Sequence, residues 1–243
     1  MRDYGKMYSN VNFTDTDVHF TMERIARIGA LTYRWCMERT SNDSGWRGSA
    51  EGWLDAAYEA LLEGGVDAVK IQPLAARLRL SRTSFYWFFK DREALLSALV
   101  DRWRLKNTGN LISQARAYAE TACEATLNVF DCWLDTGLFD SRFEFAMRSW
   151  ALQSPEILAE VQAADQLRLA ALKSMFQRFG NSADDADVRS RTLYLVQIGY
   201  ISMQTQEDID LRLQRIPNYI NVFTGEYPTK SEMDRFIARH RSD

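Results

Sequence analysis

Glycine and proline are scarce in this chain, 12 and 4 residues of 243. An all-β protein needs a turn about every 8–12 residues and would use more of both, so the shortage points toward helix. Histidine is scarcer still: with only His19 and His240, neither a His-ligated metal site nor a His-based catalytic triad is expected. The three cysteines, Cys36, Cys123 and Cys132, form an odd, scattered set. Cys123 and Cys132 fall outside the usual zinc and redox spacings, so free buried thiols in a reducing cytosol are expected. No stretch approaches the roughly 18 consecutive apolar residues of a membrane span. The start, Met1-Arg2-Asp3-Tyr4-Gly5-Lys6, runs into Asn, Thr and Asp and does not read as a secretory signal. A cytoplasmic protein without a cofactor, a metal or a membrane partner is expected.

What is present is ordinary globular composition, 46% hydrophobic and 26% charged, which excludes wholesale disorder. The length suits one large domain or two small ones and is enough to bury a core without staples. A net charge of −3 gives no whole-chain sign of nucleic-acid binding, but the charge is unevenly spread. Residues 107–243 carry 14 basic and 19 acidic side chains, whereas 1–49 and 50–106 are each at about +1.

The pattern is helical throughout, and three zones follow. Residues 1–48 hold a polar lead, one candidate helix over 18–37 and a Ser/Asn/Asp/Gly linker. Met22 and Met37 are also candidate internal start positions. Residues 49–106 read as four helices in quick succession. Ser49 caps the first, where Trp53, Ala56, Ala57, Ala60 and Leu61 recur at helical spacing, and Gly64-Gly65 ends it. A short helix carries Pro73 in its first turn, Ser81 caps the next over 82–88, and Asp91 caps a fourth over 91–106. Residues 107–243 predict helices over 120–136, 141–151, 155–179, 184–204, 216–223 and 231–239. Ser154-Pro155-Glu156 is a strong helix start and Gly180-Asn181 a matching stop.

Two short helices about three residues apart within 69–95 form a helix-turn-helix, whose second helix can lie in a major groove. Between Val69 and Arg92 there are six basic residues (Lys70, Arg77, Arg79, Arg82, Lys90, Arg92) against Asp91 alone. This is the electrostatic footprint that the whole-chain charge conceals. Here the sequence resembles the TetR family of transcriptional repressors. The match runs from Trp53 through Gly64-Gly65, Leu74-Ala75, Leu78 and Ser81 to Phe85-Tyr86, Phe89-Lys90, Asp91 and Glu93-Ala94-Leu95. A weaker likeness continues through 145–151, 164–168 and 225–229. The chain departs from the family pattern in three places. Arg79 stands where the turn usually has Gly, Lys70-Ile71 stands where Ser or Thr usually caps the second helix, and Arg92 replaces a usual lysine.

Of the five aromatics at 85–89, Phe85 and Phe89 are four apart and should pack inward, while Tyr86 and Trp87 point elsewhere. By resemblance these two meet the DNA backbone and a thymine methyl or sugar; a base-stacking platform for single strands is the other reading. Arg82 opens the recognition helix and is the candidate for bidentate guanine contact, a phosphate contact being the alternative. Thr83 and Ser84 are candidates for base or phosphate, Gln72 for adenine or backbone, and Lys90 and Arg92 for phosphate.

For the third zone the resemblance implies a larger helical-bundle domain that dimerises and holds a ligand cavity. The segment after Asp187 is apolar nearly all round, as a buried helix is. Leu193, Tyr194, Gln197, Tyr200 and Ile201, with Tyr219 and Phe223 on the following helix, are the candidate dimer interface. Packing inside one chain is the alternative. Trp103, Trp133, Phe143, Met147, Trp150 and Phe176 are candidate cavity residues for an apolar or aromatic effector, plain core being the alternative. The expected partners are double-stranded DNA, a second copy of the chain and a small molecule. The competing readings are an all-α enzyme or small-molecule carrier, for which no catalytic constellation is found, and an interaction protein docking through the 18–37 helix.

Overall fold

The computed structural model describes residues 48–240; the expected helix over 18–37, His19 and Cys36 lie outside them. The described residues are helical without strands. Helix α1 (Ala50–Gly64) starts where Ser49 Oγ accepts the Gly52 N–H at 3.0 Å. Its buried side carries Trp53, Ala56, Ala57, Ala60 and Leu61, the five residues of the sequence pattern. A 3-10 turn (Val66–Ala68) leads to α2 (Ile71–Leu78) and then α3 (Arg82–Phe85).

Helix α2 ends in a residue that pays for its place. Arg79 sits in the left-handed region at φ 55°, ψ 37°. Its N–H donates to Ala76 O, and the Leu80 N–H reaches back to Ala75 O at 2.9 Å. This pairing closes the helix end but suits glycine, since a side chain there costs about 1–2 kcal/mol. Arg79→Gly is therefore expected to raise stability by about 0.5–1 kcal/mol in urea melts, after allowing for the looser unfolded chain.

Helix α3 is shorter than the predicted 82–88. After Phe85 the backbone bonds tighten to the i−3 spacing, with Tyr86 N–H on Thr83 O, Trp87 on Ser84 O and Phe88 on Phe85 O. Asp91 then caps α4 (Arg92–Trp103) by accepting the Ala94 N–H at 2.8 Å. Contrary to the expected stop near 106, the helix continues through a π-helical stretch (Arg104–Gly109) into α5 (Asn110–Arg116). Asn107 in that stretch is fully buried. Its amide grips the start of the helix over Ser141–Ala151, accepting from the Asp140 N–H at 2.9 Å and donating to Asp140 O at 3.0 Å.

Helices α6 (Ala122–Leu134), α7 (Ser141–Ala151), α8 (Pro155–Arg178), α9 (Ala183–Ser202), α10 (Ile209–Thr224) and α11 (Lys230–His240) form the body. Only α10 departs far from its predicted range: it starts at Ile209, not 216, and holds Pro217 inside it. Asp208 caps the added turns, and burial of Leu213 and Ile216 offsets a proline penalty of about 3 kcal/mol.

Two apolar clusters make the core. One joins α5, α6, the C-terminal half of α8, α9, α10 and α11. The other joins Trp53, Leu74, Phe85, Leu99 and Trp103 of the head to Phe143, Met147 and Ala151 of α7 and Ile157 and Val161 of α8. Cys123 and Cys132 are buried free thiols, and burial pushes the Cys132 thiol up to about 12.

Candidate nucleic-acid interface

The recognition turn is built from the inside. Phe85 is fully buried, edge-on to Trp53 at 5.3 Å and stacked with Phe89 at 5.6 Å. With those two rings inward, Tyr86 and Trp87 are turned out, 49% and 56% exposed. Phe88 is half-buried against the same core.

Arg82, Thr83, Lys90 and Gln72 are all exposed. Arg82, Gln72 and Arg92, with Lys70 and Pro73, line one shallow hollow. Arg82 Nη2 lies 3.4 Å from the Tyr86 hydroxyl, which steadies the arginine at the mouth of that hollow.

Two of the sequence candidates stand differently. Ser84 is turned inward, 4% exposed: its hydroxyl donates to Ser81 O at 2.7 Å, while Ser81 Oγ accepts the Ser84 N–H at 3.2 Å. It shapes the helix start and does not offer its hydroxyl outward. Arg92 is committed to its own chain, with Nε on Val69 O at 2.6 Å, Nη2 on Val66 O at 2.8 Å and Nη1 on Glu93 at 3.1 Å. It clamps the turn before α2 to the start of α4. Lys70, at the N-cap of α2, makes no side-chain capping bond.

Behind the head lies a polar cluster that sequence reasoning missed. Glu144 and Arg168 are both fully buried and paired through two bonds, Nη1–Oε1 at 2.8 Å and Nη2–Oε2 at 3.1 Å. Arg168 also donates to Thr108 and to the Tyr194 hydroxyl, and Trp103 donates its indole N–H to Glu144 at 2.7 Å. Arg148 pairs with Glu144 and Asp165. Burial works to raise the Glu144 carboxyl, but the charge and hydrogen bonds of Arg168, with Arg148 and Asn107, outweigh it and hold the group well below the usual carboxylate range. The cluster ties the π-helical stretch to α7, α8 and α9.

The candidate cavity residues divide. Trp133 and Trp150 line a groove between head and body, whereas Trp103, Phe143, Met147 and Phe176 are closed in the core. The candidate interface residues divide too. Leu193, Tyr194, Gln197, Ile201 and Phe223 are buried within the single chain. Tyr200 and Tyr219 are half-buried and share a 2.8 Å hydroxyl contact. Val188 and Leu195 of α9 and Val222 of α10 are exposed at 63%, 59% and 67%, as are Ile209 and Leu211 at the start of α10, less fully. Among the described residues there is no group of three or more potential ligands placed for a metal ion, and no helix long and apolar enough to cross a membrane.

A short recognition turn seated on a buried aromatic pair, with arginine, threonine and lysine outward, defines a helix-turn-helix protein with a helical body. Residues 54–99 match the family model described as bacterial regulatory proteins, tetR family. It is similar to YdeS of Bacillus subtilis (strain 168), an uncharacterised HTH-type transcriptional regulator, at 31% identity over 77 residues. That match covers 30% of this chain and spans only 39% of the length of YdeS. A crystal structure from Mesorhizobium loti MAFF303099, assigned to the TetR family of transcriptional regulators, has a TM-score of 0.50 at 14% identity, over 78% of this chain and 95% of the other. At that identity the likeness shows the fold. A transcriptional regulator from Rhodococcus sp. RHA1 has a TM-score of 0.48 at 16% identity, over 80% of this chain and all of the other.

Proposed function

We propose that this protein is a non-enzymatic, cytoplasmic transcriptional repressor that binds double-stranded DNA as a homodimer and is released by a small-molecule effector. The observation that carries the DNA-binding part is the outward set Gln72, Arg82, Thr83, Tyr86, Trp87 and Lys90, exposed around the buried Phe85–Phe89 pair, with Gln72 and Arg82 lining one hollow. Arg82 reads base edges, and Lys90 with Lys70 meets phosphate. Arg92 serves this face mainly by holding the α1–α2 turn in place.

For the dimer, the exposed apolar side of α9 and α10, with Val188, Leu195 and Val222, is the surface that meets a second copy, bordered by Tyr200 and Tyr219. Two heads in such a dimer would read half-sites about 34–36 Å apart on a pseudo-palindrome. The effector acts by binding the DNA-competent arrangement of the heads less well than the released one.

A gel shift over the DNA upstream of the protein's own gene, run at several salt concentrations, tests the reading. The expected result is a specific complex that weakens steeply with salt. In Arg82→Ala the preference over an unrelated fragment falls by about 1–3 kcal/mol, while Lys90→Ala weakens both fragments alike. A shift indifferent to both changes would sink the assignment.

A further inference from the structure

We propose that the groove between head and body is a binding site for an aromatic carboxylate, with Arg212 taking the carboxylate and a run of rings taking the aromatic part. The groove encloses about 650 Å³, inside the range of roughly 300–1,000 Å³ usual for small-molecule sites. Trp133 of α6, Phe145 and Trp150 of α7 and Tyr200 of α9 line it. All four rings come from the body. The opposite wall is the end of α1 and the turn at Gly64, Gly65, Val66 and Asp67.

The charge on the lining fixes the sign of the guest. Arg142 and Arg212 face it, against Asp67 alone. Arg212 is half-buried, stacked over the Tyr200 ring at 5.5 Å, with one long contact to Gln197 Oε1 at 3.4 Å. Among the described residues no carboxylate forms an ion pair with it; Glu207, whose field it feels, pairs with Arg215 through Oε1 and leaves Oε2 buried without a hydrogen bond. A guanidinium placed this way has donors to spare, and a planar carboxylate matches its fork. One sheltered cation among aromatic walls suits a single negative charge on a flat apolar body, not a multiply charged phosphate.

The head wall gives the site a consequence. Val66, which lines the groove, is also the residue whose carbonyl Arg92 grips, and Arg92 in turn lines the hollow shared by Gln72 and Arg82. A guest in the groove therefore bears on the turn that sets the DNA-facing side chains. This consequence rests on the reading given under Proposed function, whereas the binding itself does not.

Calorimetry on the full-length protein in the absence of DNA provides the test, with indole-3-acetate and the uncharged indole-3-acetamide as probes. The acid is expected to bind about tenfold or more tightly than the amide. Arg212→Gln should abolish that preference, and Arg212→Lys should keep part of it. Ala146→Trp, which fills the groove without altering charge, should remove binding of both probes, with the thermal midpoint recorded for each variant to confirm folding. Equal affinities for acid and amide, no heat from either at millimolar concentration, or a preference that survives in folded Arg212→Gln would overturn the proposal. A protein that binds the acid but shifts no DNA would refute the regulatory reading and leave this site standing.

Discussion

Arg168→Met is expected to lower the free energy of unfolding by about 3–5 kcal/mol, because it takes from a fully buried carboxylate the nearer-matched of its two guanidinium partners. Arg168 and Glu144 are both without solvent contact and joined by two hydrogen bonds. The guanidinium also lies 5.2 Å from the Trp103 ring and 5.5 Å from Phe139. Removing it leaves Glu144 with Arg148, Trp103 and Asn107 as donors, which is too little to balance a carboxylate shut away from water. The double variant Glu144→Leu with Arg168→Met should recover most of the loss, since no lone charge remains. Urea melts of the two single variants and the double close the cycle. A double variant no more stable than Arg168→Met would show that the pair matters through shape rather than charge.

The same pair sets an acid limit. The Glu144 carboxyl is held down to about 2 in the folded protein, against 4.5 ordinarily. A depressed carboxyl contributes stability that is complete above its unfolded value and lost as pH falls through the folded one. The wild type should therefore weaken between about pH 4.5 and pH 2 more steeply than Glu144→Gln, whose own deficit is already present at neutral pH.

Phe85→Ala is expected to cost about 3–5 kcal/mol and to abolish DNA binding, whereas Tyr86→Ala, one residue on, should leave stability within about 0.5 kcal/mol of wild type. Phe85 has no exposed surface and touches three rings, those of Trp53, Tyr86 and Phe89. It is the pin on which the recognition turn is mounted. Tyr86 is half in solvent, so its loss should appear only as weaker DNA binding. Thermal melts and gel shifts on both variants separate the roles. Equal stability losses would mean that the inward and outward faces of the turn are misassigned.

Much of the fold could be read directly because it rests on local signals. Ser49, Ser81, Asp91 and Ser154 each cap the helix that the sequence assigns to them. The spacing of Phe85 and Phe89 alone placed both rings inside. Ser84 was misjudged because a short polar residue near a helix start can face either way, and its bond to Ser81 turns it in. The Glu144–Arg168 pair left no trace in the pattern, since a charge on a helix reads as solvated until its partner arrives from another helix. Helix α9 is apolar on most sides, so periodicity could not separate Tyr194, which faces its own core, from Leu195, which faces out. The helix through 107 had no proline to stop it, and Gly109 was absorbed.

The apolar cluster shared by the head and α7 has a practical consequence for modularity. A reading head cut away at the α4 boundary would leave Trp103, Leu99 and Phe85 without the Phe143, Met147 and Ala151 they pack against. Chimeras that exchange DNA specificity between relatives should accordingly fail when joined at the middle of the long α4–α5 helix. They should succeed when α7 and the N-terminal half of α8 travel with the head, so that the transplantable part is a unit of packing rather than a continuous stretch of chain.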